Sequence, residues 1–177
     1  MNQYYQGLLY NPDCNMCPLS GCKKVLPDGP IPAKLCFVGE GPGVVEEIEG
    51  RGFVGKSGYI LWTLAAAYGA KREDIWTSNA ALCRPREIKL ATGFTLKEQT
   101  VKELSVKACR KRLLYELLYV TQGDPSAVIV PIGNLALRSL ALSTGRKNMG
   151  IYKYRGAVLE VDLQKAWQEA QSFKAGW

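Results

Sequence analysis

The sequence predicts an α/β fold with a largely parallel central sheet, on two observations. Segments with the character of strands and helices alternate along most of the 177 residues. Two short apolar runs, Leu35–Val38 and Ala127–Pro131, resemble strands buried on both faces. Each run is followed closely by a glycine, Gly39 or Gly133, that turns the chain towards the next element. Ligands of such folds bind at the carboxyl ends of the strands.

The elements follow one another in a regular order. The pattern predicts strands at 34–38, 74–80, 126–131 and 155–161, helices at 57–69, 96–120 and 133–142, and a helix or loop at 44–50. The segment Glu87–Thr95 is polar and predicts a loop. No internal repeat interrupts this order, and the length fits one domain, residues 1–177.

Composition and charge narrow the classes of function. No apolar stretch approaches the roughly 18 to 20 residues that span a bilayer, and Met1–Tyr10 lacks the features of a signal peptide, so we expect a cytoplasmic protein without membrane contact. Lysine and arginine exceed aspartate and glutamate by 23 to 16. This excess, with a basic cluster at Lys107–Arg112, favours a nucleic-acid partner, although a solvated basic helix face is the alternative.

Six cysteines and no histidine restrict the chemistry that is available. Any reaction has to use carboxylates, lysine, tyrosine, cysteine or a cofactor. Cys36 lies in an apolar strand and is expected to pack in the core. Four of the remaining five thiols would suit an iron-sulfur cluster or a structural zinc ion. The candidates are Cys14, Cys17, Cys83 and Cys109, and Cys22 could replace one of them.

Two glycine-rich segments lie close together after the first predicted strand. The second segment, Gly50–Ser57, matches the phosphate-binding pattern G-x-x-x-x-G-K-[ST] at every position, which would indicate a nucleotide hydrolase. That mechanism requires a buried strand directly before the first glycine, but the preceding residues Val44–Glu49 are acidic. The pattern is therefore a weak indication here.

The order of five motifs resembles that of the family 4 uracil-DNA glycosylases, which carry an iron-sulfur cluster. The motifs are Cys-x-x-Cys at Cys14 and Cys17, GEGPG at 39–43, GRGFVGKSG at 50–58, SNAALCRP at 78–85 and, after the distant Cys109, VIVPIGNLAL at 128–137. The resemblance covers about residues 14–156. It implies a three-layer α/β/α fold, excision of uracil from DNA, and a DNA partner.

The resemblance also implies roles for individual residues. Cys14, Cys17, Cys83 and Cys109 would hold a [4Fe-4S] cluster, with zinc as the alternative. Glu40 and its neighbours Gly39, Gly41, Pro42 and Gly43 would form the water-activating loop. Phe53 would stack on uracil, and Asn79 would bind the Watson-Crick edge of the base.

One family motif is missing from this sequence. The family carries a His-Pro-Ser-like loop near its carboxyl end, whose histidine stabilises the leaving uracil, but this chain has no histidine. Three explanations follow: the chain is a truncated domain, another group has taken over the role, or catalysis has been lost. In the last case the chain would be a DNA-binding module, for example one within a larger replication or polymerase assembly.

Overall fold

The computed structural model describes residues 13–141 and 149–172. Its central sheet, within these ranges, has three parallel strands in the order β2-β1-β5. The strands are β1 (Leu35–Gly39), β2 (Trp76–Asn79) and β5 (Val128–Pro131). The predicted strands at 34–38, 74–80 and 126–131 are therefore confirmed, and their parallel pairing agrees with the predicted fold class.

Six helices accompany the sheet in the described residues. They are α1 (Val44–Glu49), α2 (Lys56–Ala67), α3 (Glu98–Thr121), α4 (Asn134–Ala141), α5 (Ile151–Tyr154) and α6 (Leu163–Ser172). The three predicted helices correspond to α2, α3 and α4, and the uncertain segment at 44–50 is helical. No helix in the described ranges is both long enough and apolar enough to cross a membrane.

Strand β1 separates two helical layers because its side chains alternate between the two faces of the sheet. On one face, Cys36 and Val38 belong to the main core with Leu113 and Leu117 of α3. On the other face, the ring of Phe37 stacks on the ring of Trp62 from α2, with 6.0 Å between their centroids. The fold therefore has the three α/β/α layers that the family resemblance implies.

Two predictions outside the central sheet are wrong. Residues 155–161 form no strand, and Val158 is almost fully exposed, because this segment contributes only Leu159 to a small apolar cluster with Leu137 and Met149. The segment Glu87–Thr95 is not wholly a loop, since Ile88–Lys89 (β3) pairs with Thr95–Leu96 (β4) in a short hairpin. Ile88 and Leu96 form this hairpin because both pack against the apolar cluster around Leu19.

A buried ion pair joins α3 to the end of β2. Arg112 is fully buried, and its guanidinium donates to Glu116 Oε2 at 2.5 Å and to the hydroxyl of Ser78 at 3.1 Å. Its second terminal nitrogen donates to the carbonyls of Asn79 at 2.6 Å and Ala80 at 3.2 Å. Burial raises the pKa of Glu116, whereas the charge and hydrogen bonds of Arg112 act in the opposite direction.

Loss of this guanidinium should destabilise the fold strongly. We expect Arg112→Met to lower the free energy of unfolding by about 3–5 kcal/mol. It removes the charged partner of a buried carboxylate, which keeps only the Ser78 hydroxyl at 3.3 Å, and it removes a donor from two carbonyls. The exposed Arg138 of α4 provides the control, since Arg138→Met should change the free energy by at most about 0.5 kcal/mol. Urea unfolding measures both variants, and equal losses in the two would contradict the structural role of Arg112.

Candidate functional site

The candidate site lies at the carboxyl ends of β1 and β2. Gly39 is the register partner of Asn79, so the last residues of the two strands are adjacent. The pairing continues beyond the strands, because Ala80 N–H donates to the Gly39 carbonyl at 2.7 Å and Ala81 N–H donates to the Glu40 carbonyl at 3.0 Å. The GEGPG and SNAALCRP segments therefore leave the sheet side by side.

Gly39, Phe53 and Asn79 come together at this edge. A Cβ atom added to Gly39 would lie 2.4 Å from Oδ1 of Asn79 and 3.0 Å from the ring atom Cζ of Phe53. Gly52 is also near, since a Cβ there would lie 3.8 Å from Nδ2 of Asn79. Asn79 is buried. Because Gly39 has no Cβ, the Asn79 amide and the Phe53 ring can both lie against its Cα.

The Glu40 side chain extends towards α4. Its Oε1 accepts a hydrogen bond from Leu135 N–H at 3.0 Å, and its Oε2 lies 3.6 Å from Nζ of Lys102. A Cβ on Gly133 would lie 2.6 Å from Cγ of Glu40, so glycine is required where the carboxylate meets the start of the helix. Leu135 belongs to the helix that follows β5, so Glu40 extends to the β5 side of the edge, whereas Asn79 belongs to β2.

The remaining residues of the GEGPG segment shape the loop. A Cβ on Gly41 would lie 3.2 Å from Cδ of Pro85, so the loop packs against the segment that follows β2. Pro42 is buried, and Gly43 directly precedes α1. The structure thus places the predicted water-activating loop at the sheet edge, next to Asn79.

The apparent phosphate-binding pattern has a structural role instead. The carboxylate of Glu46 in α1 accepts hydrogen bonds from Val54 N–H at 3.0 Å and Gly55 N–H at 2.6 Å, and it also accepts one from Gly43 N–H at 3.0 Å. The amides of Val54 and Gly55 lie just before α2, where a phosphate would otherwise bind. An internal carboxylate already occupies them, and helix α1 rather than a strand precedes the pattern, so the structure does not favour a nucleotide site.

Four of the six cysteines line one pocket. Cys14 and Cys17 bracket a short 3-10 turn, Cys83 follows β2, and Cys109 lies in α3. The turn is held against α3 because Asp13 N–H donates to the carbonyl of Ala108 at 3.1 Å. The structure therefore brings together the four thiols that the resemblance implies.

The environment of these thiols disfavours their charged forms. Burial raises the pKa of Cys17, and burial together with neighbouring thiols raises the pKa of Cys83 to about 12. Cys36 also has a pKa raised to about 12, but it packs in the main core. Thiols that resist ionisation alone can ionise when a cationic centre compensates their charge.

The fifth candidate, Cys22, lies beside the pocket. Its sulfur accepts a hydrogen bond from Nη2 of Arg86 at 3.3 Å, and its carbonyl accepts one from the thiol of Cys83 at 3.6 Å. Cys22 is absent from the residues that line the pocket. Across the described residues, no three cysteine, aspartate or glutamate side chains are gathered closely enough to hold a single metal ion.

A zinc ion and an iron-sulfur cluster place different demands on four thiolates. A tetrahedral zinc ion with Zn–S bonds of about 2.3 Å would need all four sulfurs around one point. A cluster distributes its thiolates over several iron atoms and therefore accepts sulfurs that surround a void. Four thiols that line one pocket supply the type and number of ligands that either centre uses.

Two residues that hold the second glycine-rich segment in place were not predicted from the sequence. The Glu46 carboxylate accepts hydrogen bonds from the amides of Val54 and Gly55, and Arg72 donates to the carbonyls of Gly52 and Phe53. Glu46 had a local signal, because an acidic residue three positions after Gly43 is typical of a helix start. Arg72 had none, since it lies 20 residues from Gly52.

Comparisons with known proteins agree with this geometry. The sequence profile of the Uracil DNA glycosylase superfamily matches residues 26–169. A Type-4 uracil-DNA glycosylase of Thermotoga maritima is 33% identical over 145 residues, which cover 81% of this chain and 67% of that protein. The Type-4 uracil-DNA glycosylase of Archaeoglobus fulgidus is 30% identical over 151 residues, covering 84% of this chain and 69% of that protein.

A third relative matches a slightly larger share of the chain. The Type-4 uracil-DNA glycosylase of Pyrobaculum aerophilum is 27% identical over 159 residues, covering 86% of this chain and 74% of that protein. The profile and these relatives include both strand ends of the candidate site. The chain therefore belongs to the uracil DNA glycosylase superfamily.

Proposed function

We propose that this protein is a uracil-DNA glycosylase that hydrolyses the N-glycosidic bond of uracil in DNA and leaves an abasic site. The observation that carries the proposal is the meeting of Gly39, Phe53 and Asn79 at the sheet edge, in a chain that belongs to this superfamily. We further propose that residues 1–177 act as one domain in the cytoplasm.

Base recognition follows from the residues at this edge. A glycosylase has to move its target base out of the duplex and into a pocket. The ring of Phe53 provides a surface on which a flipped pyrimidine stacks. Asn79 offers one amide donor and one acceptor. With Nδ2 directed at O4 and Oδ1 at N3–H the amide matches uracil, and in that orientation it does not match the amino group and bare N3 of cytosine.

Glu40 is the proposed base and electrostatic partner of the reaction. The C1′–N1 bond breaks with its electron pair moving onto uracil, and a water oxygen bonds to C1′. The carboxylate orients that water, accepts its proton and stabilises the positive charge that develops on the sugar. Leu135 N–H and Lys102 hold the carboxylate in place. The uracil anion then takes a proton from solvent, and Glu40 releases to solvent the proton that it took from water.

The cysteines are the proposed ligands of a [4Fe-4S] cluster. Cys14, Cys17, Cys83 and Cys109 would hold it, because these four thiols line one pocket and come from three separate segments. When bound, the cluster supplies a rigid cross-link between those segments. The proposed hydrolysis by Glu40 and water does not involve the cluster.

DNA is the proposed partner, and the net charge of +7 supports this assignment. A DNA-binding module without catalysis is the second candidate, since the chain lacks histidine. The matched relatives give no support to a polymerase-linked assembly. The two candidates differ in a single measurement, the release of uracil from bound DNA.

Uracil release from single-stranded and mismatched oligonucleotides tests the activity. We expect release by the unaltered protein, a loss of about 10²–10³-fold in Asn79→Ala, and a loss of about 10²–10⁴-fold in Glu40→Gln. Glu49→Gln, at an exposed position of α1, serves as the control and should keep full activity. DNA binding by the unaltered protein without any uracil release would favour the noncatalytic module.

The missing side chain of Gly39 gives a second test. Gly39→Ala would place a methyl group 2.4 Å from Oδ1 of Asn79, so that the amide has to turn away from the base. We expect kcat/KM to fall by about 10²-fold, as for other small displacements of reacting groups. Gly150→Ala is the matched control, because among the described residues, its two chain neighbours aside, no atom lies within 4 Å of an added Cβ, and its φ of −107° suits alanine. Comparable activities in the two variants would remove Gly39 from the site.

Iron and sulfide analysis of the anaerobically purified protein tests the cluster. Serine substitution of Cys14, Cys17, Cys83 or Cys109 should each lower the iron content and the visible absorption, because each removes one ligand. Cys36→Ala and Cys22→Ser should retain both signals, since neither residue lines the pocket. A colourless protein with one equivalent of zinc would contradict the cluster, and iron loss in Cys22→Ser would change the ligand set.

A further inference from the structure

Phe53 has an unusual backbone conformation. Its φ of 56° lies in the left-handed region, which a residue with a Cβ rarely adopts. Such a conformation costs free energy and persists only where surrounding contacts hold it. The direction in which the ring extends from the chain depends on this conformation. The contacts that maintain it therefore set where the ring lies.

Arg72 holds the two peptide groups that flank the Phe53 Cα. Its Nη2 donates to the Gly52 carbonyl at 2.7 Å, and its Nη1 donates to the Phe53 carbonyl at 3.1 Å. One planar guanidinium therefore bridges both carbonyls, which a lysine amine cannot do with the same geometry. Arg72 lies in a short 3-10 turn just before β2, so this contact ties the Phe53 loop to the sheet.

Trp62 completes the support. Its Nε1–H donates to the Phe53 carbonyl at 2.8 Å, and the Arg72 guanidinium lies over its ring, 4.6 Å from the centroid. The ring also meets the Phe53 ring edge to face, with 6.3 Å between centroids. Gly58 allows this close packing, because a Cβ there would lie 2.1 Å from the Phe53 carbonyl oxygen.

We propose that Arg72 is a positioning residue that fixes the stacking face of Phe53 for the flipped base. The assignment rests on the proposed uracil-binding role of Phe53. Both terminal nitrogens of Arg72 donate to protein carbonyls, so its action on the base is indirect. Glu46 holds the next two amides, and thus the Phe53 loop is fixed on both sides of the ring.

A double-mutant cycle with Phe53→Ala tests this assignment. Arg72→Gln alone should lower kcat/KM for uracil release by about 10- to 100-fold, because the ring loses its fixed direction. In the Phe53→Ala background the same change should cost at most about 3-fold, since the ring on which it acts is gone. Equal losses in the two backgrounds would overturn the proposal.

Two further variants test whether Arg72 acts through its two hydrogen bonds or through its positive charge alone. Lys71→Gln removes a positive charge from the adjacent exposed residue and should leave kcat/KM unchanged. Arg72→Lys keeps the charge but loses the bridge between the two carbonyls, so it should lose most of the activity lost by Arg72→Gln. Full activity in Arg72→Lys would show that charge alone matters and would overturn the proposal.

Amide hydrogen exchange provides a readout that does not depend on catalysis. Exchange at Val54 and Gly55 should be faster in Arg72→Gln than in Lys71→Gln, while exchange in α3 should stay the same. If the unaltered protein releases no uracil, the proposed function fails, but this measurement still decides whether Arg72 holds the Phe53 loop. Unchanged exchange at Val54 and Gly55 would overturn the positioning role.

Discussion

Arg112 connects the end of β2, which carries Asn79, to helix α3, which carries Cys109, and the proposed function depends on both. Its guanidinium is fully buried and donates to Glu116, Ser78 and the carbonyls of Asn79 and Ala80. The same helix carries Cys109 one turn earlier, and the chain that leaves Ala80 reaches Cys83 three residues later. A single buried cation therefore fixes the backbone of the proposed base-reading residue, Asn79, and the relative position of two proposed cluster ligands. Because charges of this kind are costly to bury without partners, each group around Arg112 also depends on the others.

The two glycine-rich segments show how a common sequence pattern acquires a different physical role. In a nucleotide-binding loop, free amides before a helix hold a phosphate. Here the carboxylate of Glu46 takes the amides of Val54 and Gly55. The internal anion gives the loop a fixed shape without a ligand, and that shape presents Phe53 towards Gly39 and Asn79. The same hydrogen-bonding capacity thus fixes the loop that carries the proposed stacking residue, where a nucleotide-binding loop would hold a charged phosphate.

The sequence predicted the parts of the structure that depend on local patterns. The strands at Leu35–Gly39 and Val128–Pro131 are short apolar runs, and α3 has a long helical pattern, so each could be identified from neighbouring residues. The grouping of the four cysteines followed from the family resemblance. Contacts between a side chain and a distant backbone left no such pattern. Arg72 meets a carbonyl 20 residues away, and Arg112 meets one 33 residues away. The apolar residues at 155–161 have the pattern of a strand, but within the described residues this segment pairs with no strand and contributes only Leu159 to an apolar cluster.

The position of the cysteine pocket argues for a structural role of the proposed cluster. Its ligands come from the amino-terminal turn, the segment after β2 and helix α3. The turn buries none of its own three residues, and a backbone hydrogen bond from Asp13 to Ala108 is one of its few contacts with α3. A cluster at the pocket would add covalent links where packing is sparse, much as metal sites stabilise other small cores. It would also restrain Cys83 and, through four intervening peptide bonds, Asn79. The cluster would then support uracil recognition by holding the end of β2 in place, and the hydrolysis itself would be left to Glu40 and water.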